Sequence, residues 1–220
     1  MSPVRHLFAV SLAGGLLAAP PALAQDWSTY GGAPGGGQYS AATQITPDNV
    51  GRLEVAWTFR TRDFSEGGDG TRATTFEANP IYADGRLYVC TPYNRVMAVE
   101  AETGHALWSF EPDPPLPRDY DQQHSLICRG VSYWASGADG PCERRIIAPV
   151  LDGRLLALDA TTGTLCPDFG TGGVINLNED YPRLGTGVVN ITSPPAIFQD
   201  LAIVGTAIGD NQAVDMPDGV

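Results

Sequence analysis

The sequence predicts an all-β fold, a partial β-propeller, on three observations. Beyond residue 24 no long stretch shows helical periodicity; short apolar strands alternate with turn pairs instead, against a background rich in glycine and proline. Residues 76–110, FEANPIYADGRLYVCTPYNRVMAVEAETGHALWSF, read as four short antiparallel strands that end on a tryptophan, the outline of one propeller blade. The pattern then returns, as it must, because a single blade cannot bury both of its faces.

The chain opens on a targeting segment. Arg5 and His6 precede an apolar run over residues 7–19, and Ala22-Leu23-Ala24 offers a small-x-small cleavage site before Gln25. The run is too short for a membrane span and ends in prolines, so residues 1–24 read as a secretory signal peptide. The mature chain, residues 25–220, then begins outside the cytoplasm. Residues 26–40, DWSTYGGAPGGGQYS, taken alone read as a linker; Gly35-Gly36-Gly37 is no phosphate loop, because no strand precedes it. Residues 53–59 alternate as a strand, and residues 63–72 read as a polar loop.

In the first blade, residues 77–82 form the first strand and Asp84-Gly85 the hairpin turn. Residues 87–90 form the second strand and residues 96–99 the third. Thr103-Gly104 turns the chain into residues 107–110. A connector rich in proline and charge, residues 113–123, leads to the second blade. Residues 128–134 are its first strand and residues 145–150 its second. GRLLALDATTG, ending at Gly163, then repeats the apolar strand, acidic residue and Thr-Gly of VMAVEAETG, ending at Gly104. Cys166 takes the place that Trp108 holds in the first blade. Residues 170–187 read as a long loop carrying Asn176, Asn178 and Asp180. Setting Pro80 on Pro195 brings a third copy into register without a gap: Glu77 on Thr192, Ile81-Tyr82 on Ala196-Ile197, Tyr88-Val89 on Ile203-Val204. After Val204 no further Thr-Gly turn follows. The chain is therefore expected to be an amino-terminal fragment of a larger, truncated propeller domain.

The 220 residues carry a net charge of −12 and contain no lysine. A Schiff-base lysine and a P-loop are excluded within this segment, and nucleic acid is not an expected partner. Four cysteines in an exported chain permit disulfides. Cys128 and Cys142 flank a polar insertion and are expected to bridge, while Cys90, in an apolar strand, reads as a buried free thiol. There is no Cys-x-x-Cys-His haem motif and no zinc pattern.

Polar residues at the start of each blade's first strand converge on the central channel. Glu77, Arg129 and Thr192 occupy that position in three successive blades. An arginine fork suits a planar carboxylate or a quinone oxygen, and the acid and hydroxyl can orient it. Asp210-Asn211 follows the third blade's second strand; a hard cation would want such oxygen ligands, although a turn-forming Asp-Asn pair is the ordinary explanation. His124 reads as a loop histidine.

The stretches WSTYGG, GGQYSAATQITPDNVGRLEVAWTFRT, AVEAETGHALW, CRGVSYW and TSPPAIFQDLAIVGTAIGDN resemble the amino-terminal part of the pyrroloquinoline quinone (PQQ)-dependent dehydrogenases. Within them the chain is most similar to the membrane-type glucose dehydrogenase branch. The resemblance implies an eight-bladed propeller with PQQ and calcium on the channel axis. It puts the cofactor-binding residues at Glu77, Arg129 and Thr192 and a metal ligand at Asp210. It also places the catalytic aspartate beyond Val220, so no catalytic residue is assigned here. There are departures. The branch's membrane domain is replaced by a signal peptide, its histidine ahead of CRG is offset by one position at His124, and the adjacent-cysteine disulfide of the methanol dehydrogenase branch is absent. The implied protein is periplasmic, with membrane association left open. It oxidises an alcohol, polyol or sugar by hydride transfer to the quinone, and passes electrons to a respiratory quinone or cytochrome. The alternative is a non-catalytic propeller scaffold of the outer-membrane assembly type.

Overall fold

A computed structural model describes residues 26–32, 35–68, 70–116, 126–180 and 189–208. The predicted signal peptide, His124 and Asp210 lie outside the described residues. Among those residues the regular structure is strand apart from two short 3₁₀ segments, Val50–Arg52 and Leu177–Asp180, and no helix is long and apolar enough to cross a membrane.

The chain enters the first blade through a small antiparallel hairpin, β1 (Glu66–Gly68) with β2 (Thr71–Ala73). A polar loop was the expectation there; a hairpin made of glycine and polar residues leaves no apolar alternation to read. The blade itself is a four-stranded antiparallel sheet in chain order: β3 (Ile81–Ala83), β4 (Arg86–Cys90), β5 (Val96–Glu100) and β6 (Ala106–Phe110). Asp84 and Gly85 join β3 to β4 at φ 50° and 75°, the doubly positive turn that matches the twist of a hairpin.

The second blade repeats this order with β7 (Ser132–Ala135), β8 (Arg144–Pro149), β9 (Arg154–Asp159) and β10 (Val174–Asn176). Every residue of β9 is buried, which needs cover on both faces. Leu156 and Leu158 point into a core shared with Ile81, Tyr88 and Val96 of the first blade. Leu155 and Ala157, on the other face, join Ile197, Ala202 and Val204 of the third. That third unit pairs β11 (Val189–Asn190) with β14 (Ala207–Ile208), and β12 (Ala196–Phe198) with β13 (Leu201–Ile203). The gapless alignment holds at the level of hydrogen-bond register. Ile81 opposes Tyr88 and Ala83 opposes Arg86 in the first blade; Ala196 opposes Ile203 and Phe198 opposes Leu201 in the third. Ile81 and Tyr88 are buried by the second blade, whereas Phe198, Leu201 and Ile203 are 56–62% exposed.

Tryptophans tie the units together. Trp108 on β6 donates its Nε1 to the Ala160 carbonyl of the second blade at 3.1 Å, and Trp57 donates to the Ala101 carbonyl of the first at 3.1 Å. Tyr88 reaches the same Ala160 carbonyl at 3.1 Å; burial pushes its hydroxyl up to about 12, so it remains a donor.

Several expectations are corrected. Cys128 bridges Cys90, and Cys142 bridges Cys166, with Cα–Cα distances of 6.0 and 5.7 Å. Cys90 is not a free thiol, and Cys128 does not pair with Cys142, because β7 runs between them and puts them at opposite ends of a strand. Cys166 does not stand in an outer strand as Trp108 does. That strand is β10, inside the expected long loop, and Leu177–Asp180 follow it as a 3₁₀ turn. The first strand of the second blade is shorter than residues 128–134, because residues 126–131 run extended without a ladder on β8. Residues 53–59 have no strand partner among the described residues. The glycine-rich leading segment is not a bare linker: Trp27 and Tyr82 exchange backbone hydrogen bonds of 2.8 and 2.9 Å.

Candidate functional site

The inner segments of the three blades are laced side by side. Thr74 bridges Leu126 in parallel, and the Thr75 amide donates to the Leu126 carbonyl at 3.2 Å. The Asn79 amide donates to the Arg129 carbonyl at 3.1 Å, and the Arg129 amide to the Thr192 carbonyl at 2.9 Å. The lacing brings three equivalent positions to one place. Glu77 and Thr192 come from residues before β3 and β12, and Arg129 from the extended run before β7.

The side chains complete what the backbone begins. Arg129 Nε donates to Glu77 Oε2 at 3.1 Å, and Arg129 Nη1 donates to Thr192 Oγ1 at 2.5 Å. Arg129 and Glu77 are each 42% exposed, and an ion pair in that setting contributes little to stability. Its effect is geometric: two fixed contacts set the plane of the guanidinium. Among the described residues Nη2 donates to nothing, so one prong of the fork is available to a further acceptor. A charge-assisted donor of this kind can take up a planar carboxylate or a quinone oxygen.

A cavity of about 600 Å³ opens beside Arg129, lined also by Thr29, Tyr30, Ser132, Ser193 and Phe198. Its volume suits a small organic cofactor. Thr29 and Tyr30 come from the leading segment that Trp27 anchors on β3. Sequence reasoning missed them, because glycine-rich composition carries no periodicity and Trp27 alone does not name Tyr82 as its partner. Ser132 and Ser193 were missed too, although each lies within three residues of a predicted site residue. The Ser132 hydroxyl donates to the Pro195 carbonyl, which ties β7 to the run carrying Thr192. Asp210 lies outside the described residues. Among the described residues no group of three His, Cys, Asp or Glu side chains is disposed to hold a metal.

Two successive four-stranded blades and part of a third, laced by backbone hydrogen bonds beside a braced arginine, define a partial β-propeller with a polar cluster at the lacing. Residues 27–220 match the family described as "PQQ: Glucose/ethanol/alcohol dehydrogenase, beta-propeller domain", and the chain belongs to that family. It is 38% identical over 207 residues to the quinoprotein glucose dehydrogenase of Escherichia coli (strain K12), covering 91% of this chain and 26% of that protein. It is 35% identical over 220 residues to the quinate/shikimate dehydrogenase (quinone) of Acinetobacter baylyi, covering 89% of this chain and 26% of that protein. Among solved structures it is similar to quinohemoprotein alcohol dehydrogenase ADHIIG from Pseudomonas putida HK5, with TM-score 0.65 and 27% identity over 83% of this chain and 23% of that one. The chain thus spans about a quarter of the length of the relatives it matches. The site fits the family's cofactor on its own chemistry: a guanidinium, the Thr192 hydroxyl and an adjoining cavity lined by the hydroxyl-bearing Thr29, Tyr30, Ser132 and Ser193 suit a flat ligand rich in carbonyl oxygens.

Proposed function

We propose that this chain is the amino-terminal portion of an exported PQQ-dependent dehydrogenase that oxidises CH–OH groups of an alcohol, polyol or sugar. The observation that carries the reading is the Arg129 fork, braced by Glu77 and Thr192, on a residue that also lines a cavity of about 600 Å³. PQQ, when bound, supplies a hydride acceptor to such chemistry. The residues of this chain bind and orient it. Arg129 offers positive charge where oxygen becomes more negative, Glu77 sets the guanidinium plane, and Thr192 adds a hydroxyl at the opposite edge. Asp210 would lend a carboxylate to calcium, a cation that binds through several oxygens. Electrons would leave to a respiratory quinone or cytochrome. Two disulfides support a periplasmic location, since such bonds persist in oxidising compartments and are rare in the cytosol.

Spectroscopic titration of the full-length apo-enzyme with PQQ tests the reading. Arg129→Ala is expected to weaken PQQ binding by roughly ten- to a hundredfold, the equivalent of one charge-assisted hydrogen bond. Thr192→Ala should weaken it by less, and Glu77→Gln by less than Glu77→Ala, because shape and part of the hydrogen bonding survive. Unchanged affinity in all of these variants would overturn the site, and no PQQ binding by the parent protein would return the chain to a scaffold. Asp210→Asn is expected to raise the calcium concentration needed for reconstitution, with partial recovery in excess calcium. Reconstitution at the parent's calcium concentration would leave Asp210 a turn residue. The fragment reading has its own test. Residues 25–220 alone should self-associate through open faces such as that of Phe198, Leu201 and Ile203. Concentration-independent, reversible melting of that segment would count against it.

A further inference from the structure

Arg129 sits on a stretch that no strand ladder of its own blade holds. Residues 126–131 precede β7 and form no ladder on β8, being laced to their neighbours only by the isolated bridge of Leu126 to Thr74 and the backbone bonds of Arg129 to Asn79 and Thr192, yet Arg129 must present its fork at a fixed angle. What holds the stretch is a series of single ties. The Asn94 side chain, buried at 1% exposure, donates to the Ile127 carbonyl at 3.4 Å and accepts from the Leu151 amide at 2.7 Å. The strongest tie is covalent. Cys128, the residue directly before Arg129, is bonded to Cys90. Cys90 ends β4 and opposes Val96 of β5, so it belongs to the fixed sheet of the first blade. Both cysteines are buried, at 0% and 1% exposure.

We propose that the Cys90–Cys128 disulfide is a positioning element for Arg129, coupling the rigid sheet of the first blade to the site in the second. The inference rests on Arg129 being a cofactor ligand, as the proposed function has it. A carbonyl-rich ligand meets a guanidinium productively only over a narrow range of angles. Motion of the residue before it therefore reaches the site with no atom of the bridge touching the ligand. The second disulfide serves as an internal control. Cys142 and Cys166 join the β7–β8 connection to the segment after β9, in the cluster with Phe169 and Ile175. A bridge that only stabilised the fold would behave as this one does.

The test is a comparison of PQQ affinities in the full-length apo-enzyme, taken well below the melting temperature at fixed calcium. Cys90→Ala/Cys128→Ala is expected to raise the Kd at least tenfold. Cys142→Ala/Cys166→Ala is expected to lower the Tm while leaving the Kd within twofold. With Arg129→Ala present, removing the Cys90–Cys128 bridge should cost no further affinity, because the residue it positions is gone. If the double-cysteine variant does not fold, the parent protein is opened stepwise with a phosphine. Alkylation then reports which bridge is reduced, and the Kd should rise with opening of Cys90–Cys128. An unchanged Kd without that bridge overturns the inference, as does an equal loss in the presence and absence of the Arg129 guanidinium. If Arg129→Ala itself leaves the Kd unchanged, the cofactor reading of the site fails and the inference with it. A sensitive Arg129 with an indifferent bridge removes the inference alone.

Discussion

The Thr-Gly turns of the two complete blades do the same job with differently used acids. Their backbones match closely. Gly104 and Gly163 both lie at φ 74°, and their amides return to the Glu100 and Asp159 carbonyls at 2.9 and 2.8 Å. A tryptophan lies on each glycine: a Cβ on Gly104 would come within 2.6 Å of the Trp57 ring, and one on Gly163 within 2.6 Å of Trp108. Both indoles donate to the carbonyl of the alanine that follows the acid. The acids then part. Among the described residues the Glu100 carboxylate accepts only from the nearby Thr103 hydroxyl. Asp159 is 5% exposed and accepts from the Thr161 and Thr162 amides, the Thr162 hydroxyl and the Cys142 amide, the last at 2.6 Å. One methylene makes the difference: aspartate is short enough to fold into its own turn, while glutamate carries its carboxylate past it. Glycine and tryptophan make the dock; the acid is left free to specialise, and in the second blade it also holds the connection from β7 to β8.

The comparison breaks most severely at the glycines. Gly163→Ala combines a left-handed backbone with a ring that cannot withdraw, because Trp108 is laddered into β6. A loss of about 3 kcal/mol or more is expected from strain and overpacking together. Gly104→Ala should cost less, about 2 kcal/mol, since Trp57 lies in residues 53–59, which have no ladder among the described residues and can yield. Equal losses in denaturant unfolding of the full-length protein would mean that the Trp57 segment is held as firmly as β6.

The acids give the next effect. Asp159→Ala leaves three backbone donors without their acceptor and should cost about 2 kcal/mol, against about 0.5 kcal/mol for Glu100→Ala at an exposed turn. Similar losses from both would refute the division of labour. The smallest effect is in pH. Burial alone would raise the Asp159 carboxyl, but the Cys142, Thr162 and Thr161 amides outweigh it and hold the group below the ordinary aspartate value of 3.8. A depressed value contributes stability in full above the unfolded value and loses it as pH falls through the folded one. The melting temperature should therefore fall less steeply from about pH 4 downward in Asp159→Asn than in the parent protein. Parallel curves would show that the turn carries no such linkage.

Sequence by itself determined the strand repeat, the Asp-Gly and Thr-Gly turns, the register of the third copy, and the equivalence of Glu77, Arg129 and Thr192. Each rests on near-neighbour chemistry: positive φ at a turn, alternation along a strand, and repetition that preserves spacing. The glycine-rich hairpin of β1 and β2, and β10 behind its loop, escaped because they bury too little apolar surface to leave a period. Tertiary structure alone decided the rest. Disulfide pairing depends on which Cα atoms come within reach, and that brought Cys128 to Cys90 across a blade boundary and sent Cys142 to Cys166. Trp27 found Tyr82, and Trp108 found Ala160, across separations that no local pattern encodes. The brace of Arg129 between Glu77 and Thr192 is of the same kind. Repetition put the three residues at like positions, but only the lacing of three blades turned like positions into contacts.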